Sequence, residues 1–122
     1  RQEVVAICAL EEVTRRRRFC DGFTDAAGSV CRNIAEGFTR FDSAQIVQFF
    51  TYALASLAEV EDYLRECLTR EFIPRGRFDR SLELLERTRA KTTRFMRHHK
   101  AKVQRQRRHQ QRRTPHAAPP RP

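Results

Sequence analysis

Four cysteines and a few carboxylates are the side chains of this sequence whose types could perform chemistry. Cys8, Cys20, Cys31 and Cys67 are separated by 12, 11 and 36 residues. None of them forms the Cys-x-x-Cys pair of zinc sites and redox centres, and no histidine lies nearby at the spacing of a metal ligand. Each cysteine falls within a helical pattern, so the sequence predicts reduced thiols buried in a core and no metal site.

Glu36 and Glu59 are the carboxylates that could pair as a general acid and a general base. The sequence supplies no accompanying nucleophile, no Gly-rich loop for a substrate phosphate and no histidine before His98. We therefore expect a protein that is not an enzyme and that holds no cofactor.

Phosphate binding is the chemistry that the charge distribution favours. Of the 122 residues, 25 are Lys or Arg and 15 are Asp or Glu, for a net charge of +10. Residues 1–88 hold 13 of the cations and all 15 acids, whereas residues 89–122 hold 12 cations and no acid. Most of these C-terminal cations are Arg, which forms two parallel hydrogen bonds to a phosphate. The sequence therefore predicts that this end of the chain binds RNA or single-stranded DNA without reading base sequence.

Two groups of cations are the predicted nucleic-acid-binding residues. The C-terminal group is Arg97, Lys100, Lys102, Arg105, Arg107, Arg108, Arg112 and Arg113. The second group is the run Arg15, Arg16, Arg17 and Arg18, which becomes the candidate if the first group does not bind nucleic acid. Phe95 is the one aromatic residue near the C-terminal group that could stack on a base, so base-specific recognition is not expected. The alternatives are a basic tail that only aids solubility and a structural scaffold whose tail binds an acidic protein.

Helices must position these residues, because the hydrophobic spacing is helical along the chain. The clearest seam repeats at alternating steps of four and three residues and comprises Ile46, Phe50, Ala53, Leu57, Val60, Leu64 and Cys67. Asp42 or Ser43 is expected to cap this helix, and Pro74 with Gly76 to end it. Other helices are predicted over residues 2–19, with the four arginines as its last turn, over 23–37, and over 78–103.

The predicted fold is all-α, an antiparallel up-down four-helix bundle over residues 1–103. Residues 104–122 are rich in Arg and then in Pro, and are predicted to form a disordered tail. Val47, Phe49 and Leu54 lie beside the main seam, so we expect a second apolar surface that self-association buries. The longest apolar run, Val4–Leu10, is too short to span a membrane and no signal cleavage site follows it. The expected location is cytoplasmic.

A stretch in the middle of the chain resembles a known bacterial protein family. Its residues are Ser29-Val30-Cys31-Arg32-Asn33-Ile34-Ala35-Glu36-Gly37, then Arg40, then Ala53-Leu54-Ala55-Ser56-Leu57-Ala58-Glu59. Over about residues 20–75 the chain is similar to the four-helix-bundle proteins encoded by intervening sequences of 23S ribosomal RNA genes, the S23-like proteins. A Gly of the family pattern is replaced here by Ala55, and the Arg-rich C-terminal segment is not part of that pattern.

The resemblance implies a four-helix protomer that assembles into a homopentameric barrel with a basic, nucleic-acid-binding surface. It also implies a relationship to the accessory proteins of diversity-generating retroelements, which partner a reverse transcriptase and its template RNA. We therefore expect an oligomeric accessory protein that binds nucleic acid.

The residues that we single out in the matching motifs have a structural interpretation. These residues are Asn33, Glu36, Gly37, Arg40, Ser56 and Glu59. Asn33 is expected to bond free carbonyl groups in the last turn of its helix, and Glu36 to reach Arg40 across the following loop. Gly37 is expected to end that helix in the left-handed conformation.

Overall fold

The computed structural model describes residues 1–114 and 119–122, and every regular element in them is an α-helix. The five helices are α1 (Gln2–Cys8), α2 (Glu11–Thr14), α3 (Arg17–Thr39), α4 (Ser43–Thr69) and α5 (Arg75–Arg113). The prediction of an all-α fold is confirmed. α4 packs against both α3 and α5, and α1 packs against α3. Three long helices therefore form the helical bundle, and the first predicted helix is replaced by the two short helices α1 and α2.

The core lies where α1, α3, α4 and the start of α5 meet. Its larger cluster comprises Val4, Ile7, Cys8, Phe23, Ala27, Leu64, Cys67, Ile73 and Phe78. A smaller cluster of Val30, Leu57 and Leu85 continues along the bundle. The predicted seam of α4 is buried as expected, except that Val60 is only partly buried.

α3 begins earlier than its apolar pattern predicts, and an aromatic cluster explains the shift. The Phe19 ring lies 5.9 Å from Phe23, 5.3 Å from Tyr63 and 5.9 Å from Phe72 between centroids. Because this burial fixes Phe19 on α3, the four arginines lie at the junction of α2 and α3. The prediction that they form the C-terminal turn of the first helix is wrong.

The turn between α4 and α5 also differs from the prediction. Asp42 caps α4 as expected, since its side chain accepts a hydrogen bond from the Ala44 backbone N–H at 3.2 Å. α4 ends at Thr69, and Glu71 turns the chain with a φ of 58°. Pro74 precedes the first residue of α5 and Gly76 lies inside that helix. These two residues therefore open α5 instead of ending α4, because Pro is well tolerated where a helix begins.

α5 continues far beyond the predicted end of the bundle. The expectation of disorder from residue 104 is wrong for residues 104–113, which are helical. Gln and Arg are good helix formers, and no Pro occurs between Pro74 and Pro115. Side chains 104–114 are all exposed, so the packed body still ends near Val103, which is half-buried. Residues 115–118 of the predicted tail lie outside the described residues.

The described part of the chain contains no helix that is both long enough and apolar enough to cross a membrane.

Candidate nucleic-acid interface

The exposed end of α5, residues 104–113, is called the basic arm. It carries five arginines, which are Arg105, Arg107, Arg108, Arg112 and Arg113. Over the longer stretch 89–113, α5 contains 11 Arg or Lys residues and no acid. Arg97, Lys100 and Lys102 precede the arm on exposed positions of the same helix. The structure thus places the whole predicted C-terminal group on one continuous helix.

Five arginines of α5 lie on one face of the helix, and we call them the arginine stripe. Arg94, Arg97, Arg105, Arg108 and Arg112 follow steps of three and four residues, with Ala101 filling the step between Arg97 and Arg105. At about 100° and 1.5 Å per residue, the stripe covers an arc of about 80° and a length of about 27 Å. All five side chains are exposed. The opposite face packs at Thr92 and His99, which are buried.

His99 holds this part of α5 against the start of α4. Its Nδ1 lies 3.3 Å from the Ser43 hydroxyl oxygen, and both residues are buried. Burial lowers the pKa of His99 below the ordinary histidine value, and the charges of Lys102 and His98 lower it further. His99 is therefore kept neutral by its surroundings, while its exposed neighbours carry the positive charge.

Phe95 does not provide the stacking surface that the sequence suggested. Its ring lies 5.2 Å from Phe38, 5.0 Å from Phe50 and 4.8 Å from His99 between centroids. The half-buried ring closes an aromatic cluster between α3, α4 and α5. The Phe95 ring is therefore not available to stack on a base.

Arg15, Arg16, Arg17 and Arg18 lie at the other end of the bundle. The Arg16 guanidinium stands 4.8 Å from the centroid of Phe72, just beyond the end of α4, whereas His99 contacts the first residue of α4. α4 has 27 residues, and a helix of that length spans about 40 Å. All four arginines are exposed, and Arg15 pairs with Glu11 at 3.1 Å. The structure therefore does not join the two predicted groups into one surface.

The motif residues of α3 and α4 form a structural junction. Asn33 Nδ2 donates to the Ser29 carbonyl oxygen at 2.9 Å and to the Ser29 hydroxyl at 3.1 Å. The Ser29 hydroxyl lies 2.8 Å from that of Ser56 on α4. This chain of hydrogen bonds ties the two helices together at a point where both backbones approach closely.

The end of α3 agrees with the sequence in one contact and differs in another. Glu36 pairs with Arg40 at 3.1 Å, as expected, and the Arg40 guanidinium lies over the Phe49 ring. Gly37 is buried inside α3 and has no positive φ, so the predicted left-handed cap is wrong. A Cβ at this position would lie 3.1 Å from the Phe50 ring, so Gly37 serves close packing. Glu59 is exposed on α4.

Two ion pairs that join helices were not predicted from the sequence. Glu61 of α4 accepts from Arg89 at 2.8 Å and from Arg65 at 3.0 Å, and these bonds lower the pKa of Glu61. Burial opposes ionisation of Glu3, but hydrogen bonds from Arg77 and Ser81 outweigh it and lower its pKa. Arg89 interrupts the apolar spacing of α5, and that interruption is the signal that could have revealed its partner.

The thiols are structural where they are buried. Burial raises the pKa of Cys8 to about 12 and that of Cys67 to about 11, so both stay protonated and unreactive at neutral pH. The Cys20 thiol donates to the Val13 carbonyl oxygen at 3.2 Å, at the end of α2. Cys31 is exposed, so the prediction that it is buried is wrong. Within residues 1–114 and 119–122, no group of three His, Cys, Asp or Glu residues could hold a metal ion.

An apolar groove lies open between α3 and α5, on the side not covered by α4. Its deepest part has a volume of about 240 Å³ and is lined by Val4, Val30, Cys31, Leu57 and Leu84, among others. Leu84 is 52% exposed, and Phe38 at the far end of the groove is 64% exposed. The off-seam residues Val47, Phe49 and Leu54 are instead partly buried within the protomer. Their burial by self-association stays a prediction, and Leu84 and Phe38 provide a more exposed apolar surface.

The family comparison covers most of the chain. A family model described as 23S rRNA-intervening sequence protein matches residues 1–94. Searches of curated proteins and of solved structures each found no match. The matched segment contains the α3–α4 junction and most of the packed body, and it ends before the basic arm. The chain belongs to the 23S rRNA-intervening sequence protein family.

Proposed function

We propose that this protein is a non-enzymatic, self-associating protein that binds RNA or single-stranded DNA through phosphate contacts of α5. The observation that carries the proposal is the 11 cations without an acid between residues 89 and 113. Arg89 pairs with Glu61 and Glu86, and the other ten have no acid within the stretch to neutralise them, so an external polyanion is their natural counter-charge. The family's association with ribosomal RNA genes points to the same class of partner.

Self-association is supported by the open groove. Phe38 and Leu84, which line the groove, expose 64% and 52% of their surface, and Val5 and Phe41 are further exposed apolar residues. A chain of this size gains stability when such apolar surface is covered. The resemblance described above gives five as the expected number of subunits.

An accessory role beside a reverse transcriptase is the finer form of this proposal, and it rests on the resemblance of the motif residues alone. The competing candidate is a scaffold whose basic arm binds an acidic protein. The two differ in what the arm binds, so a nucleic-acid binding assay separates them.

The test compares the full chain with a variant truncated after Val103, using a fluorescently labelled single-stranded RNA and anisotropy at several salt concentrations. The truncation removes six arginines and only exposed side chains among the described residues. Six phosphate contacts would give a slope of log affinity against log salt near −4 for a single strand, at about 0.7 per contact. We expect weaker binding and a flatter slope for the truncated chain, with a loss of helix content limited to the removed helical residues 104–113.

The matched control changes Arg15, Arg16, Arg17 and Arg18 to Gln, which removes four cations at the other end of the bundle. We expect its affinity and salt slope to stay near those of the full chain. If the truncated chain binds as tightly with the same slope and the control binds weakly, the interface lies at the α2–α3 junction instead. If the full chain binds no RNA at all, the proposed function is wrong.

A further inference from the structure

We propose that the arginine stripe binds double-helical RNA, lying over the two phosphate rows that border the narrow major groove. The inference rests on the nucleic-acid binding proposed above and names the form of nucleic acid that the interface recognises. It departs from the single strand that the sequence alone suggested.

The first support is the regular geometry of the stripe. Arg94, Arg97, Arg105, Arg108 and Arg112 are exposed on one face of a continuous helix, over about 27 Å. Since the helix already fixes their backbone positions, the charges form a straight row before any ligand binds. A double helix presents an equally regular row of phosphates, whereas a flexible single strand must lose conformational entropy to match it.

The second support is the lack of a stacking surface. Proteins that hold single strands gain about 1–3 kcal/mol for each base that stacks on an aromatic side chain. Residues 96–113 contain no Phe, Tyr or Trp, and Phe95 is enclosed by Phe38, Phe50 and His99. A single strand can therefore make only phosphate contacts with the arm. A duplex makes the same kind of contact and carries a higher density of phosphate charge.

The third support separates RNA from DNA. The major groove of A-form RNA is deep and narrow, so the phosphates of its two strands approach each other across it. The major groove of B-form DNA is about 12 Å wide, which holds the two rows further apart. A stripe with an arc of about 80°, with Lys102 and Lys100 on its two flanks, reaches both rows across the narrow groove. On B-form DNA it reaches one row.

The experiment uses the full chain and three labelled probes of the same sequence, which are an RNA duplex, a DNA duplex and one RNA strand. The duplexes have about 20 base pairs, which exceeds the ≈16 base pairs that an RNA-duplex-binding domain covers. The stripe variant carries R105Q, R108Q and R112Q. The matched control carries K91Q, R107Q and R113Q, which removes three charges from exposed positions of α5 outside the stripe and its two flanking lysines. Circular dichroism checks that both variants keep their helix content.

We expect the full chain to bind the RNA duplex at least about tenfold more tightly than the RNA strand or the DNA duplex, a difference well within the range that phosphate contacts produce. The stripe variant should lose more affinity for the RNA duplex than the control, and its salt slope should flatten by about 2 to 3 for three lost contacts. Equal losses in the two variants, or binding of the strand or the DNA duplex as tight as the RNA duplex, overturn the inference. In those cases the proposed function stands. If the full chain binds none of the three probes, both the inference and the proposed function are wrong.

Discussion

His99 is the residue whose environment in the fold has the clearest functional consequence. It lies at the last buried position of α5 before the basic arm, with Ser43 of α4 beside its ring. Burial lowers its pKa most, and the charges of Lys102 and His98 lower it further. Protonation of His99 would therefore place a charge in a buried site beside other positive charge.

We expect the protein to lose stability in mild acid through His99. Because burial and the nearby cations lower its pKa in the folded state, the unfolded state binds the proton first. The free energy of unfolding should therefore fall as the pH decreases through about 6.5, the ordinary histidine value. Urea denaturation of the native protein and of His99→Gln, measured between neutral and mildly acidic pH, checks this.

The variant should show a smaller decrease over that pH range, although it starts from a lower stability. His109 is exposed on the arm and offers a matched control, since His109→Gln should leave the pH dependence unchanged. An identical pH dependence for the native protein and His99→Gln would contradict the assignment.

At the scale of elements, close helix contact depends on glycines whose role the sequence pattern hides. A Cβ on Gly22 of α3 would lie 2.1 Å from the Tyr63 hydroxyl and 2.8 Å from its ring carbon Cζ. The Tyr63 ring is itself stacked on Phe23, with centroids 5.4 Å apart. A Cβ on Gly28, in contrast, would meet only the flexible guanidinium of Arg32.

We expect Gly22→Ala to destabilise the fold by about 1–3 kcal/mol, because the added methyl group must displace Tyr63 from its packed position. Gly28→Ala should be neutral or stabilising by up to about 1 kcal/mol, since both glycines lie in a helix where Ala is favoured. Thermal and chemical denaturation of the two variants measures the difference. Equal stabilities of the two variants would contradict this prediction, because they would show that Tyr63 can move away from Gly22 at little cost.

At the scale of the whole molecule, the apolar groove and the basic arm lie toward opposite ends of the same helix, α5. Leu84 of α5 faces the open groove, whereas the arm extends beyond Val103 with every side chain exposed. Self-association through the groove would bring several arms onto one nucleic acid. Multiple attachment raises the overall affinity without any new contact, provided that the arms can reach the same ligand.

We expect light scattering of the native protein at micromolar concentration to report a multimer. Leu84→Glu should shift it toward the 14.4 kDa monomer, because a charge replaces exposed apolar surface in the groove. Ala90→Glu is the matched control, since Ala90 is exposed on α5 and does not line the groove. A native protein that scatters as a monomer would contradict self-association.

How far the sequence determined this protein can be judged from particular residues. The all-α fold, the buried seam from Ile46 to Cys67 and the cap at Asp42 follow from local rules, because helical spacing and capping involve residues only a few positions apart. The concentration of positive charge is a property of composition and needs no fold. The family resemblance rests on two short motifs, and the family model that matches residues 1–94 agrees with it.

Contacts between distant residues decided the rest. Phe19 joins α3 because Tyr63 and Phe72 are there to pack against it. As a result, the four arginines lie at the junction of α2 and α3 and not in the last turn of one long helix. Gly37 lies inside α3, where its missing side chain leaves room for the Phe50 ring, instead of ending the helix. Cys31 is exposed because its side of α3 faces the open groove and not α4. Packing partners far apart in the sequence leave no local signal, so only the tertiary structure could place these residues.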